Sequence, residues 1–283
     1  MTEVLTSAAD LRAHLRSAGA RTIGLVPTMG ALHAGHLSLV SRARRADDLV
    51  VVSVFVNPLQ FAPGEDFDRY PRTLERDLGL LAQARADVVF TPAAEALTPS
   101  GATTVVRVRA LTESLEGSSR PRHFDGVTTI VAKLLNLVAP TRAYFGEKDF
   151  QQLAVIRRMV RDLDFAAEVV GCPTVREPQG LALSSRNAYL TPTGRRQALA
   201  LSAALDAAAA GWRGDAGATR ALLRTRIGDA PGVRLDYAEV VDPETLQPLE
   251  GVVDTPAQAL VAAFVGGTRL IDNIRLERDG AGH

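Results

Sequence analysis

The sequence predicts an α/β fold: a Rossmann-like parallel sheet flanked by helices, followed by a smaller C-terminal α+β domain. Three observations predict it. Short apolar runs alternate with stretches whose apolar residues recur at helical spacing, the pattern of right-handed crossovers between parallel strands. The run Leu49–Val56 lacks polar alternation, as expected of a strand covered on both faces. From Gly171 to Pro192 the chain turns irregular, with Pro173, Pro178 and Gly180, before a different order of elements begins. The reading divides the 283 residues into domains over 1–175 and 176–283.

The elements follow in order. Residues 7–18 read as an amphipathic helix and Ile23–Val26 as a buried strand. Pro27, Gly30 and Gly35 mark a turn; Leu37, Val40 and Ala43 then start a helix near Gly35 or His36 that runs to about Ala46. Leu49–Val56 is the second strand and closes in the turn Asn57-Pro58-Leu59-Gln60-Phe61. Leu74, Leu78 and Leu81 mark a helix, 87–90 a strand, 91–104 a loop with Pro92 and Pro99, and 105–108 a further strand. Ile130, Leu134 and Leu137 mark the next helix, 143–145 a short strand, and Gly146-Glu147-Lys148-Asp149 the turn after it. Leu153, Ile156, Val160 and Leu163 form one helix face, and 167–170 closes the sheet. Beyond the connector come alanine-rich helices at 193–211 and 217–228, then strand-like runs at 234–241, 258–265 and 269–276. The tail from Glu277 is read as frayed.

Composition narrows the function classes. With 46% hydrophobic and 23% charged residues the chain can bury a sizeable core. A formal net charge of zero gives no argument for nucleic acid or an anionic membrane as partner. The apolar run at 49–56 is too short to cross a bilayer, and Met1-Thr2-Glu3-Val4 lacks the basic start and apolar core of a signal peptide. The single cysteine, Cys172, has no internal disulfide partner and fits a reducing cytoplasm as a packing residue. No Cys/His cluster suggests zinc. Of 32 basic side chains only Lys133 and Lys148 are lysines; Lys133 sits on a helix where its stem can snorkel, and Lys148 in a polar turn.

In parallel sheets ligands bind beyond the strands' carboxyl ends. His33, His36, Asn57, Gln60, Glu147, Lys148 and Asp149 all fall in turns that follow strands. The helix start beside His33 and His36 offers unpaired N–H groups and a partial positive charge, which suit phosphate. Gly30-x4-Gly35 imitates a P-loop, but His36 and Leu37 stand where Lys and Ser or Thr are needed, and no Gly-x-Gly-x-x-Gly is present here. A lysine about 4 Å from a phosphate oxygen is worth roughly 4 kcal/mol at an effective dielectric of about 20, which gives Lys148 a purpose; self-cancelling charges on a surface turn are the plainer reading. Leu183-Ser184-Ser185-Arg186 supplies two hydroxyls and a guanidinium able to wrap a triphosphate, or to cap the following helix. Gln60 and Gln152 are neutral amides able to hold a hydroxy acid, with Asn57 assisting. Arg120-Pro121-Arg122-His123-Phe124 adds donors or is a solvated loop. Asp77 is either a magnesium ligand through water or a helix-surface carboxylate.

Four blocks, in order, carry a resemblance: Val26-Pro27-Thr28-Met29-Gly30-Ala31-Leu32-His33-x-Gly35-His36, Phe55-Val56-Asn57-Pro58-Leu59-Gln60-Phe61, Tyr144-Phe145-Gly146-Glu147-Lys148-Asp149-x-Gln151-Gln152 and Gly180-Leu181-Ala182-Leu183-Ser184-Ser185-Arg186-Asn187. His33-Ala34-Gly35-His36 resembles the His-x-Gly-His signature of the nucleotidyl-transferring superfamily that includes class I aminoacyl-tRNA synthetases. Together the blocks resemble the pantoate–β-alanine ligase (pantothenate synthetase) family. The resemblance implies ATP-dependent condensation of (R)-pantoate with β-alanine through a pantoyl-adenylate, releasing AMP and pyrophosphate. It implies magnesium, a cytoplasmic homodimer, and a C-terminal domain closing over the active site. ATP binding maps onto Met29, Gly30, Ala31, Leu32, His33, Ala34, Gly35 and His36, with His36 as proton donor. Further ATP contacts map onto Gly146, Glu147, Lys148 and Asp149, onto Val175, and onto Leu183, Ser184, Ser185 and Arg186; position 183 is leucine where methionine is common. The pantoate amides map onto Gln60 and Gln152. His33, His36, Lys148 and Arg186 are then assigned to charge stabilisation in the first step. Two other readings stand beside this one: a nucleotidyltransferase acting on a phosphate-bearing substrate, which would want a cationic pocket where Gln60 and Gln152 are neutral, and a nucleotide-sensing module without turnover.

Overall fold

The computed structural model describes residues 2–277, so the frayed tail expected beyond Glu277 lies outside the described residues. The chain forms two compact units: Met1–Glu147 with Gln151–Pro173, and Lys148–Phe150 with Thr174–His283.

In the first unit the elements run β1 (Glu3–Leu5), α1 (Ala8–Ser17), β2 (Ile23–Thr28), α2 (Ala34–Ala46), β3 (Leu49–Val54), α3 (Leu74–Gln83), β4 (Val88–Phe90), α4 (Ala94–Leu97), α5 (Glu116–Ser119), α6 (His123–Val138), β5 (Arg142–Gly146), α7 (Phe150–Asp162) and β6 (Glu168–Cys172). The six strands are parallel in the order β1-β4-β3-β2-β5-β6. The continuous apolar run of β3 is explained by burial on both faces: Val50 and Val52 join α2 and α3 residues such as Val40, Ala43 and Leu81 in one core cluster, and the intervening Val51 is equally buried. The order reverses beside β2, with β3 on one side and β5 on the other, which puts a topological switch point, the usual ligand crevice of such sheets, at the carboxyl ends of β2 and β5.

Pro27, expected in the turn, instead lies within β2 opposite Ser53. Thr22 and Thr28 direct their carbonyls toward β3, whereas Ile23 directs its own toward Thr141 on the β5 side. By alternation Pro27 faces the β5 side, where pairing has already ended at Leu25↔Ala143. Its missing N–H therefore costs no ladder bond. The strand expected over 105–108 is absent: side chains of α6 satisfy its backbone, Thr129 Oγ1 accepting from Val106 N (3.0 Å) and Thr128 Oγ1 donating to Val106 O (2.6 Å). Leu163 falls beyond the end of α7 and is exposed. Lys133 is half-buried and its ammonium donates to the Leu97 carbonyl at the end of α4. The unexpected β1 has three residues, too few to show a period, and pairs with β4 from Glu3↔Val88 to Leu5↔Phe90.

The second unit carries α8 (Pro192–Ala210), α9 (Ala216–Gly228) and the antiparallel strands β7 (Val233–Val241), β8 (Ala257–Val265) and β9 (Thr268–Leu276) in the order β7-β8-β9. Leu201, Leu205, Leu223, Ile227, Val240 and Val261 lie in its core. The connector ahead of α8 is more ordered than its composition suggests. Glu177 N donates to Leu181 O (2.8 Å) and Leu183 N to Val175 O (2.9 Å), so 175–183 folds back on itself as a short hairpin. Gly180, at φ 104°, makes the turn possible.

Candidate active site

Between β2 and α2 the chain makes a tight turn through Gly30 (φ 80°) and Ala31 (φ 51°), a backbone conformation that L side chains rarely adopt. Asp77 on α3 holds it. Its two carboxyl oxygens accept from Ala31 N (2.8 Å) and Leu32 N (2.9 Å), and Thr73 Oγ1 donates to both at 3.2 Å. Asp77 is fully buried, which corrects the expectation of a surface carboxylate. Its oxygens serve the turn, and among the described residues no three His, Cys, Asp or Glu side chains group to hold a metal.

His33 caps α2 by accepting from Gly35 N at Nδ1 (3.2 Å), and His36 Nδ1 accepts from His33 N (3.4 Å). The pair performs the reciprocal exchange usually made by Ser or Thr with Glu. The choice of imidazoles matters electrically. A glutamate at the third position would place a negative charge at the mouth, whereas the first turn of α2 here has no acidic residue, so no side chain of the helix's own first turn offsets the positive end of its dipole. An Nδ1 that accepts leaves Nε2 as the protonated nitrogen of a neutral ring, as for His33 beside Gly35 N; the 3.4 Å approach of His33 N to His36 Nδ1 favours the same tautomer of His36 more weakly. The rings lie 4.0 Å apart, centroid to centroid. β5 pairs beside β2, and its carboxyl end supplies Gly146 and Glu147.

The turn after β3 is also built from side chains. Asn57 is buried (3% exposed). Its Oδ1 accepts from Leu59 N (3.0 Å), and its Nδ2 donates to Gln60 Oε1 (2.9 Å) and Gly126 O (3.0 Å). Asn57, expected to assist the glutamines in holding the acid, is placed to orient Gln60. The adjacent glutamines of α7 separate cleanly: Gln151 is buried and bonded to Leu111 O, Ser114 O and Glu116 N, whereas Gln152 is half-buried.

Within 120–124 only Pro121 and Arg122 form an exposed turn, as a solvated loop would. His123 and Phe124 begin α6 and are buried. His123 Nδ1 meets Gln60 O at 2.8 Å, Nε2 meets Arg120 Nη1 at 3.2 Å, and Arg120 in turn forks onto Glu65 at 2.9 and 2.6 Å. Burial works against ionisation of Glu65, but the hydrogen bonds and charge of Arg120 outweigh it and hold its carboxyl below the usual range. Burial, and then the Arg120 cation, push the His123 pKa down to about 4, against the pull of the Gln60 carbonyl, Glu116 and Glu65. The sign of the consequence is fixed. His123 stays neutral in the fold while the unfolded chain takes up a proton near pH 6.5, so its share of stability is complete above about pH 6.5 and is lost as pH falls toward about 4, roughly 3 kcal/mol in all. Denaturant unfolding at about pH 7 and about pH 4.5 checks this: His123→Asn should flatten the slope seen in the parent chain, and an unchanged slope would remove His123 as its source.

In the second unit, Val175 and Leu183 pair across the hairpin. Ser184 caps the following turn by accepting from Arg186 N (3.2 Å), and Ser185 and Arg186 are half-buried. Arg176 is held bidentately by Asp272 (2.6 and 2.9 Å). Lys148 is half-buried, its carbonyl accepting from Asn273 Nδ2 (2.8 Å); the ammonium has no ion-pair partner among the described residues. Asp149 is exposed. Asp77, Asn57 and the Glu65–Arg120–His123 chain were not legible as supports, because a buried polar residue and a surface one look alike without their partners.

A family model described as Pantoate-beta-alanine ligase matches residues 3–275. A curated protein named Pantothenate synthetase, from Moorella thermoacetica, is 54% identical over 97% of this chain and 99% of its own. A crystal structure of pantothenate synthetase from Thermus thermophilus superposes with a TM-score of 0.92 at 51% identity, covering 98% of this chain and all (100%) of that one. A pantoate-β-alanine ligase structure from Francisella tularensis, complexed with β-γ ATP and β-alanine, gives 0.82 at 35% identity over 97% of each chain.

Proposed function

The chain belongs to the pantoate–β-alanine ligase family, and from that premise we propose that it joins pantoate to β-alanine using ATP, through a pantoyl-adenylate, with release of AMP and pyrophosphate. The β2–α2 mouth carries this reading: two imidazoles paired at a helix start free of acidic residues. A carboxylate is already ionised at neutral pH and needs no base to attack the α-phosphorus. The obstacles are repulsion between anions and charge building on pyrophosphate, which preorganised donors offset. In this reading the backbone from Met29 to Leu32 and from Ala34 to Gly35 seats the nucleotide, and His33 and His36 donate to its phosphates, with His36 protonating the leaving group. Gly146, Glu147, Lys148 and Asp149 serve the same nucleotide, as do Val175 and the segment Leu183, Ser184, Ser185 and Arg186. Gln60 and Gln152 hold pantoate. Magnesium enters with ATP as part of the substrate. The occupancy of the Francisella tularensis relative by β-γ ATP and β-alanine supports the choice of substrates.

The same reading extends to a homodimer in the cytoplasm. Cys172 is a buried free thiol, which suits a reducing compartment, and among the described residues no helix is long and apolar enough to cross a membrane. Product analysis tests the reaction class. AMP and pyrophosphate should appear in equal amounts with pantothenate; formation of ADP and phosphate would overturn the adenylate route.

A further inference from the structure

We propose that His123, braced by Arg120 and Glu65, is a positioning residue that holds the main-chain carbonyl of Gln60, and with it the turn that presents the Gln60 amide, and thereby sets the affinity for pantoate. The inference rests on the reading of Gln60 as an acid-binding amide.

The turn that carries Gln60 is weakly held by its own backbone. Its two internal bonds, Gln60 N to Asn57 O and Phe61 N to Pro58 O, are both 3.4 Å long, beyond the usual range for N–H···O bonds. The supports come instead from α6 and the segment before it. The Gln60 main-chain carbonyl has two lone pairs, and two donors meet it, His123 Nδ1 at 2.8 Å and Arg120 Nη2 at 3.3 Å. Neighbours at both ends fix the imidazole tautomer. A carbonyl only accepts, so Nδ1 carries the proton; a guanidinium only donates, so Nε2 accepts from Arg120. Glu65 grips Arg120 by both oxygens and stops the fork from rotating. Gly126 lets the helix lie directly on the turn: a Cβ there would come within 2.3 Å of Leu59 O and 2.6 Å of Gln60 N. Asn57 ties the Gln60 side chain to the same helix, binding both Gln60 Oε1 and Gly126 O. With Oε1 engaged by Asn57, Gln60 offers a substrate its Nε2 hydrogens, which suits a carboxylate or hydroxyl oxygen.

A residue that only stabilised the fold would affect all substrates alike, so the test separates them. KM for pantoate and for ATP, kcat, and the unfolding midpoint are measured for His123→Ala, His123→Asn, Glu65→Gln and Gln60→Ala. His123→Ala should raise KM for pantoate about tenfold, the scale of one lost buried hydrogen bond, with KM for ATP unchanged. His123→Asn keeps a donor at the Nδ1 position and should restore KM to within about threefold of the parent. Glu65→Gln, which keeps the shape and frees Arg120, should raise KM for pantoate severalfold; it carries the test if His123→Ala does not fold. Parallel rises in both KM values, or no rescue by asparagine, would overturn the inference. An unchanged pantoate KM in Gln60→Ala would instead overturn the reading of Gln60 on which it rests.

Discussion

Replacing His36 by alanine is expected to slow pantoate adenylation about a hundred- to thousandfold, the loss of roughly 3–4 kcal/mol of transition-state stabilisation that follows removal of one preorganised donor. The structural cost is far smaller. His36 accepts from His33 N at the third position of α2, and losing that half of the cap costs about 1 kcal/mol, or roughly 2–4 °C in Tm for a chain of this size. The two magnitudes separate chemistry from folding. Single-turnover formation of the adenylate, set beside a thermal scan, makes the measurement. A variant that adenylates pantoate at a near-parental rate would remove His36 from the mechanism. Lys148→Ala should behave in the same way, because the ammonium has no ion-pair partner of its own among the described residues to lose.

Asp77→Ala should destabilise the first unit by roughly 3–5 kcal/mol, since it removes the shared acceptor of two backbone N–H groups at about 1–3 kcal/mol each, together with a hydroxyl bond. The turn is poorly able to compensate. Ala31 holds a positive φ of 51°, which costs about 1–2 kcal/mol in an L residue and persists only while its surroundings impose it. Relaxation of Ala31 moves the chain leading into His33. The variant should therefore lose affinity for ATP as well as stability, while the magnesium dependence of the rate keeps its midpoint. Denaturant unfolding and ATP titration check both. A loss of less than about 1 kcal/mol with unchanged ATP affinity would show that the turn holds itself.

Much of the sheet was legible because burial on both faces writes a strand as a continuous apolar run, as in β3, and because helices such as α2 and α7 repeat their apolar residues every three or four positions. The turn residues were legible as candidates for a related reason: parallel strands deliver His33, Gln60 and Lys148 to loops after their carboxyl ends. What stayed hidden depends on distant partners. Nothing local says that Val106 bonds to threonines on α6 instead of a neighbouring strand. Nor does anything local say that Asp77 faces the Ala31 and Leu32 amides, or that His123 supports Gln60 across 63 residues. Pro27 misled for the opposite reason: its preference for turns is real, but the side of β2 it faces had no ladder left to break.

The central claim is that the imidazole-capped start of α2 steadies ATP while pantoate displaces pyrophosphate, before β-alanine takes part. Isotope exchange between ATP and labelled pyrophosphate tests it most directly. Exchange should appear when pantoate is added without β-alanine, be absent without pantoate, and fall about a hundredfold or more in His36→Ala. Exchange that requires β-alanine, or that proceeds without pantoate, would contradict the account.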